Sequence, residues 1–348
     1  MANKERNHAF DLLCGICIIR MITLHITGMC GHGDDDWWKT IMYWTFYFMS
    51  FFFFKAGYFN KTVSGDSKQY CIDKFKRLMV PYFVWGIIGC VVYFSFMPFL
   101  IHRYHHPIEP ITWSHIWTTS YFWGNSPCWF LFSFFTAYVA MHFIEKVRGL
   151  HWMVLLFPFV SYWMFTLGNP IWMSLNNVFM GIFFFFLGRV WHWALSRLRR
   201  RNTFAISCAL VGVFMVLNVL FHGEYTMSTN TWSGNPLMLV VNTAIALCGL
   251  SGMLLSLKIR RVPVVNYIGQ HSMVYFVAHY PLLIFYRFVH LSFGRSIFGR
   301  WDDLILLFVF TFAFCTWLVP YVEAVPWLSG RFKNRAQENK QGGHRVNV

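Results

Sequence analysis

Residues 9–29 read AFDLLCGICIIRMITLHITGM. At a rise of 1.5 Å per residue, such a stretch forms a helix of about 30 Å, the thickness of a bilayer's hydrocarbon core. Its composition is apolar except for Asp11, Arg20 and His25, with cysteines at 14 and 17. Ionisable groups are costly in hydrocarbon, so these three call either for a chemical role or for surroundings made of protein. On an ideal helix Asp11, Cys14 and His25 fall within about 60° of one another, whereas Arg20 lies about 140° round from His25.

The rest of the chain repeats this texture. Of 348 residues, 57% are hydrophobic, 21% aromatic and only 12% charged, about half the charged share of a soluble globular protein. The span rule predicts an all-α polytopic membrane protein of about ten helices. They fall near 9–29, 39–59, 78–101, 128–146, 152–168, 177–196, 203–222, 236–256, 272–292 and 303–325, the fifth being the weakest. With ten spans, twenty-one lysines and arginines fall on one side and four on the other, in the connecting segments or at the span ends. The positive-inside rule then puts both termini in the cytoplasm. The formal charge of +15 thus reads as a topology signal and not as a nucleic-acid surface. One transmembrane domain covers 1–330, and residues 331–348 form a polar tail whose composition predicts disorder.

Three classes of polar feature compete for a function. The CxxC of Cys14 and Cys17 sits inside a span, away from the helix start that lowers a thiol's pKa in redox motifs, and reads as two small hydrophobes. The loop IHRYHHPIEPITWSH (101–115) brings His102, His105 and His106 within one helical turn. Pro107 and Pro110 end that turn, and no metal is expected. Among residues inside spans, His142, Arg189, His192 and Arg287 lie near span ends and can reach the interface. Arg20, His25, Lys55 and His279 remain. A membrane histidine either bonds across helices or does chemistry; Lys55, in FFFFKAGYF, either reaches the inner surface or binds an anion. By position along their spans, His25 belongs to the outer half and His279 to the inner half.

Several segments in order resemble the acyltransferase-3 family of integral membrane acyltransferases, in particular its exopolysaccharide and sugar O-acetyltransferase branch. They are FDLLCG followed by His25, FFFFKAGYF, DKFKRLMVPYF, SPCWFL, GIFFFFLGRV and GQHSMVYFVAHYPLL, which contains His279. The first-helix basic residue of that family is replaced here by Cys14, which leaves Lys55 or Arg20 to supply the charge. The resemblance implies transfer of an acyl group, acetyl first, from cytoplasmic acyl-CoA to a hydroxyl of a cell-surface glycan or lipid-linked sugar. It implies catalytic roles for His25, His279 and Asp11, with a histidine acting as general base or acyl relay. The phosphates of coenzyme A would meet Lys55, Lys74, Lys76 and Arg77. Arg20 and Trp129 are the expected acceptor contacts, although Trp129 also fits an interfacial aromatic belt. The implied setting is the cell membrane, a bacterial inner membrane, with lipids and the glycan as partners. A polysaccharide or lipid-linked sugar exporter also suits a bundle with intramembrane charges; a purely structural subunit leaves His25 and His279 unexplained.

Overall fold

The computed structural model describes residues 7–60, 66–104, 116–117, 119–147, 149–169, 172–257 and 262–332. The histidines at 105, 106 and 115 and the polar tail beyond 332 lie outside the described residues. Among the described residues, eight helices are long and apolar enough to cross a membrane: His8–Cys30, Ser67–Phe96, Ser126–Lys146, Leu175–Arg197, Arg200–Leu220, Pro236–Leu257, Ser272–Ser292 and Trp301–Ala324. The chain is an all-α polytopic membrane protein. Helix α1 (His8–Cys30) is its axis: 67% of its span is buried, against 22% for Arg200–Leu220, whose exposed valines and leucines suit a lipid-facing position.

Two of the ten expected spans take other forms. The 39–59 segment is two helices, α2 (Asp36–Trp44) and α3 (Phe48–Phe59), interrupted at Thr45. No proline or glycine marks the interruption. It lies where Arg20 on α1 needs partners: Thr45 Oγ1 accepts from Arg20 Nε at 3.3 Å, and the guanidinium lies 3.7 Å over the Phe48 ring. A hydropathy window registers the length of the apolar run but not this tertiary demand. The fifth span is a 3-10 turn (Leu150–Leu156) followed by the ten-residue α7 (Phe157–Thr166).

The remaining elements follow in order. Helix α4 (Ser67–Lys74) passes through a π turn (Phe75–Met79) into α5 (Val80–Tyr104), and α6 is Trp129–Lys146. Helices α8 (Val178–Arg197) and α9 (Arg200–Leu220) precede a two-stranded hairpin, β1 (Tyr225–Thr226) with β2 (Thr231–Trp232). Helices α10 (Pro236–Leu257), α11 (Pro263–Gln270), α12 (Ser272–Ser292), α13 (Trp301–Ala324) and α14 (Pro326–Ser329) complete the described chain.

Two local devices set the position of α12. Short α11 lies against the first turns of α1 with backbones almost touching. A Cβ added at Gly15 would sit 2.0 Å from the Val265 carbonyl oxygen, and one at Gly269 only 1.8 Å from that of Asp11. Asn266 Nδ2 donates to the His8 carbonyl at 2.8 Å and fixes the register. The second device repairs a helix defect. Pro281 has no N–H to give the Val277 carbonyl, one turn earlier in α12. Asn125 supplies the missing donor, its Nδ2 reaching Val277 O at 3.0 Å and Trp85 O on α5 at 3.2 Å. Asn125 is fully buried, and so ties the segment entering α6 to both α5 and α12.

This arrangement predicts a coupling. Asn125→Ala should lower stability by about 1–3 kcal/mol by leaving a buried carbonyl without a donor. In a Pro281→Ala background, where the backbone N–H returns, the same substitution should cost measurably less. Thermal unfolding of the four proteins in detergent closes the cycle, and additive costs would dismiss the pairing.

Candidate functional site

The two histidines that the sequence assigns to opposite halves of the membrane meet. The rings of His25 on α1 and His279 on α12 lie 5.3 Å apart between centroids at 34°, and Tyr280 stands edge-on to His25 at 5.2 Å. The two-station expectation is corrected by the position of α12. Short α11 runs along α1 before α12 begins, so seven residues of α12 carry His279 to the level of His25. His279 is fully buried. Its Nδ1 lies 2.8 Å from the Phe276 carbonyl and 3.1 Å from that of Tyr275. Carbonyl oxygens only accept, so Nδ1 carries a proton. The opposite nitrogen, Nε2, is buried without a hydrogen-bond partner.

A cavity of about 200 Å³ opens on His25, away from the N-terminal end of α1. Its walls include Arg20, Phe48, Trp129 and Phe276, and the loop Glu224–Ser228 crosses its mouth. Arg20 and His25 share this space despite their separation around α1, because the long arginine side chain reaches round over Phe48 and Trp38. Arg20 is buried, with Nη1 unpartnered. Trp129 is buried too, a wall of the cavity and not a member of an interfacial belt.

This loop, the lid of the cavity, is held by Tyr121, whose hydroxyl donates to the Ser228 carbonyl at 3.4 Å, by Ser233, whose Oγ accepts from the Glu224 N–H at 3.0 Å, and above all by Asn230. Asn230, in a left-handed conformation (φ 50°), accepts at Oδ1 from Ser161 Oγ (2.7 Å), Tyr225 OH (3.1 Å) and Trp232 Nε1 (3.2 Å). Its Nδ2 donates to the Ser161 carbonyl (2.9 Å) and to Asn169 Oδ1 (2.7 Å). Burial pushes the Tyr225 phenol well above its ordinary range, which keeps the hydroxyl a donor. Ser161 lies on α7, so the short fifth segment anchors this lid. The run HGEYTMSTNTWSGNP (222–236) carries the turn-forming composition of such a hairpin, but nothing in it announces what it covers.

A second cavity, of about 510 Å³, opens toward the N-terminal end of α1. Lys55, Lys74, Arg77 and Arg331 bring positive charge to it, and Cys14, Tyr138 and Gln270 share its walls. Lys74 rests its ammonium 3.6 Å over the Tyr138 ring. Sequence reasoning found the first three cations. It missed Arg331, the first residue of the expected polar tail, which is held by Glu323 at 2.5 Å, itself paired with His271 at 2.6 Å. Lys76 is exposed and does not line the cavity. Asp11 also departs from expectation. It is buried at the α1–α11 crossing, 3.4 Å from Gln270 Nε2. Fourteen residues of helix, about 21 Å, separate it from His25. Of the residues near span ends, Arg189 is ion-paired to Glu145, and His142 bonds Ser67 Oγ at 3.1 Å.

The sequence profile of the acyltransferase-3 family, an acyltransferase domain, matches residues 7–319. The chain belongs to this family. No curated protein and no solved structure matches it. Family membership makes the bundle a multi-pass membrane acyltransferase, and the paired histidines, of which His25 lines the smaller cavity, are the candidate centre for the transfer.

If Asn230 holds the lid, Asn230→Gly should release it even though glycine suits the left-handed backbone. Amide exchange across 224–232 should accelerate at least tenfold, while exchange in α1 stays unchanged. An unaltered hairpin would show that the side-chain bonds are dispensable.

Proposed function

We propose that this acyltransferase moves an acyl group, acetyl first, from acyl-CoA bound in the basic cavity to a hydroxyl of a glycan or lipid-linked sugar bound under the lid. The observation that carries the reading is the pair of cavities, one cationic and one aromatic, that share Phe276, with His25 lining the aromatic one and packed against His279. The phosphates of coenzyme A suit the charges of Lys55, Lys74, Arg77 and Arg331. A sugar ring suits Trp129, and the unpartnered Nη1 of Arg20 suits a hydroxyl or a charged oxygen on the acceptor. Lys55 shares the donor cavity with Cys14 whereas Arg20 lines the other, which makes Lys55 the substitute for the family's first-helix charge.

In this reading His25, which faces the acceptor cavity, takes the proton from the acceptor hydroxyl as its oxygen attacks the thioester carbon. The new C–O bond forms, the C–S bond breaks, and the thiol of coenzyme A leaves with a proton. His279 acts from behind. Its Nδ1 is tied to the backbone, and Nε2 is a free acceptor close to the His25 ring, able to orient it or share its proton. Asp11 is a positioning residue for the α1–α11 crossing. The basic cavity then faces the cytoplasm.

The test uses proteoliposomes carrying the glycan fraction of the producing cells, with labelled acetyl-CoA supplied at the basic face. Label should enter the glycan, and His25→Ala should lower kcat by about 10²–10⁴-fold. Lys55→Ala should instead raise KM for acetyl-CoA about tenfold, as loss of one charge-assisted contact does. Movement of glycan across the bilayer without label transfer would favour an exporter and sink the reading.

A further inference from the structure

The two cavities are stacked along the same four elements, and one residue belongs to both. On α1, Cys14 and Ile18 face the basic cavity and Met21 and His25 the lidded one. On α3, Phe52 and Lys55 face the first, Phe48 and Met49 the second. At the start of α6, Trp129 and Phe130 divide in the same way, and on α12 Phe276 alone lines both. From Ile18 to Met21, and from Phe52 to Met49, is three residues, so the partition is about 4.5 Å thick, one helical step.

The partition is apolar and its centre is a ring. Phe276 is buried, packs on Phe130 at 5.4 Å between centroids, and lies 6.4 Å from the His279 ring. Its backbone is held, because its carbonyl accepts from His279 Nδ1. Only the side chain has freedom to move. Met21 and Met49 on one side and Met273 on the other are unbranched and deformable, which gives the ring room to swing.

Resting on the function proposed above, we infer that Phe276 is the gate through which the acyl group meets the acceptor, and that it sets the length of acyl chain transferred. A ring that swings about its own Cα–Cβ bond opens a passage of side-chain size. A two-carbon acyl group passes such an opening, while each added methylene meets Phe130 and the methionines. The closed ring keeps water on the acceptor side away from the thioester. Phe276 touches neither proton nor leaving group. It determines specificity by shape.

The experiment uses the full chain in proteoliposomes with the same glycan fraction and labelled acetyl-, butyryl- or octanoyl-CoA, reading label in glycan and free thiol released. Phe276→Ala should raise the butyryl-to-acetyl transfer ratio at least tenfold and increase release of free thiol without label transfer. Phe276→Leu, which keeps an apolar and smaller side chain, should shift the ratio in the same direction. Phe276→Trp should lower acetyl transfer while KM for acetyl-CoA stays within about twofold. Phe59→Ala widens the donor cavity two helical turns from Phe52, where its ring lies against Phe10 and Tyr58, and should leave the chain-length ratio where it is. Ratios unchanged in both smaller variants, or shifted equally by Phe59→Ala, would overturn the gate while leaving the acyltransferase reading in place. Absence of transfer from every donor in the unsubstituted protein would overturn both.

Discussion

The Val277 carbonyl, left without a helical donor by Pro281, is the constraint around which the site is assembled. A buried peptide oxygen in a membrane protein has no water to turn to, so its partner must come from the fold. Asn125 provides it and in doing so ties three elements together: α12 at Val277, α5 at Trp85, and the start of α6 a few residues later. Trp129 and Phe130 follow directly from that anchored turn, and Phe276 and His279 flank Val277 on the helix it grips. A proline that looks like damage to a transmembrane helix is thereby the reason that two aromatic walls and a histidine converge.

The buried cations obey the same logic of compensation. Arg20 lies in the core with its guanidinium face on Phe48 and its Nε on Thr45, and the chain breaks a membrane helix to offer those contacts. Half-buried Lys74 rests on the Tyr138 ring. Aromatic faces stabilise a desolvated cation without neutralising it. The charge therefore remains available to an anionic or polar ligand, whereas a carboxylate partner would consume it. The abundance of Phe, Tyr and Trp in this sequence is in part a means of keeping positive charge inside an apolar bundle.

What could be read from the residues, and what could not, follows from the range of the interactions. Long apolar runs became eight spanning helices because length and composition act locally. The motif order pointed to the family, and His25, Lys55, Lys74, Arg77, Arg20 and Trp129 all line one cavity or the other. Thr45 was illegible because the break answers a residue twenty-five positions away. The His25–His279 contact was illegible because it depends on α11 running along α1, a consequence of Gly15 and Gly269 packing backbone to backbone. The lid escaped notice for a similar reason: Asn230 is bound to Ser161, sixty-nine residues earlier. Single-helix geometry had grouped Asp11 with His25 by angle alone; rise along the axis separates them.

On the function proposed above, the same arrangement bears on why a base strong enough for a sugar hydroxyl would not simply hydrolyse the donor. Water and a sugar hydroxyl are chemically similar nucleophiles, so selectivity must come from access and not from the base. The basic cavity is the larger, the one beside His25 is the smaller and is lined in part by the hairpin loop, and Ile18, Met21, Met49, Phe52, Phe130 and Phe276 stand where the two adjoin. A water molecule passing among these side chains gives up its hydrogen bonds for none in return. An acyl group meets no such penalty, having little polar surface to desolvate. A thin apolar partition therefore discriminates in the required direction before any catalytic group acts, and it does so most sharply where Phe276 closes it beside the unpartnered Nε2 of His279.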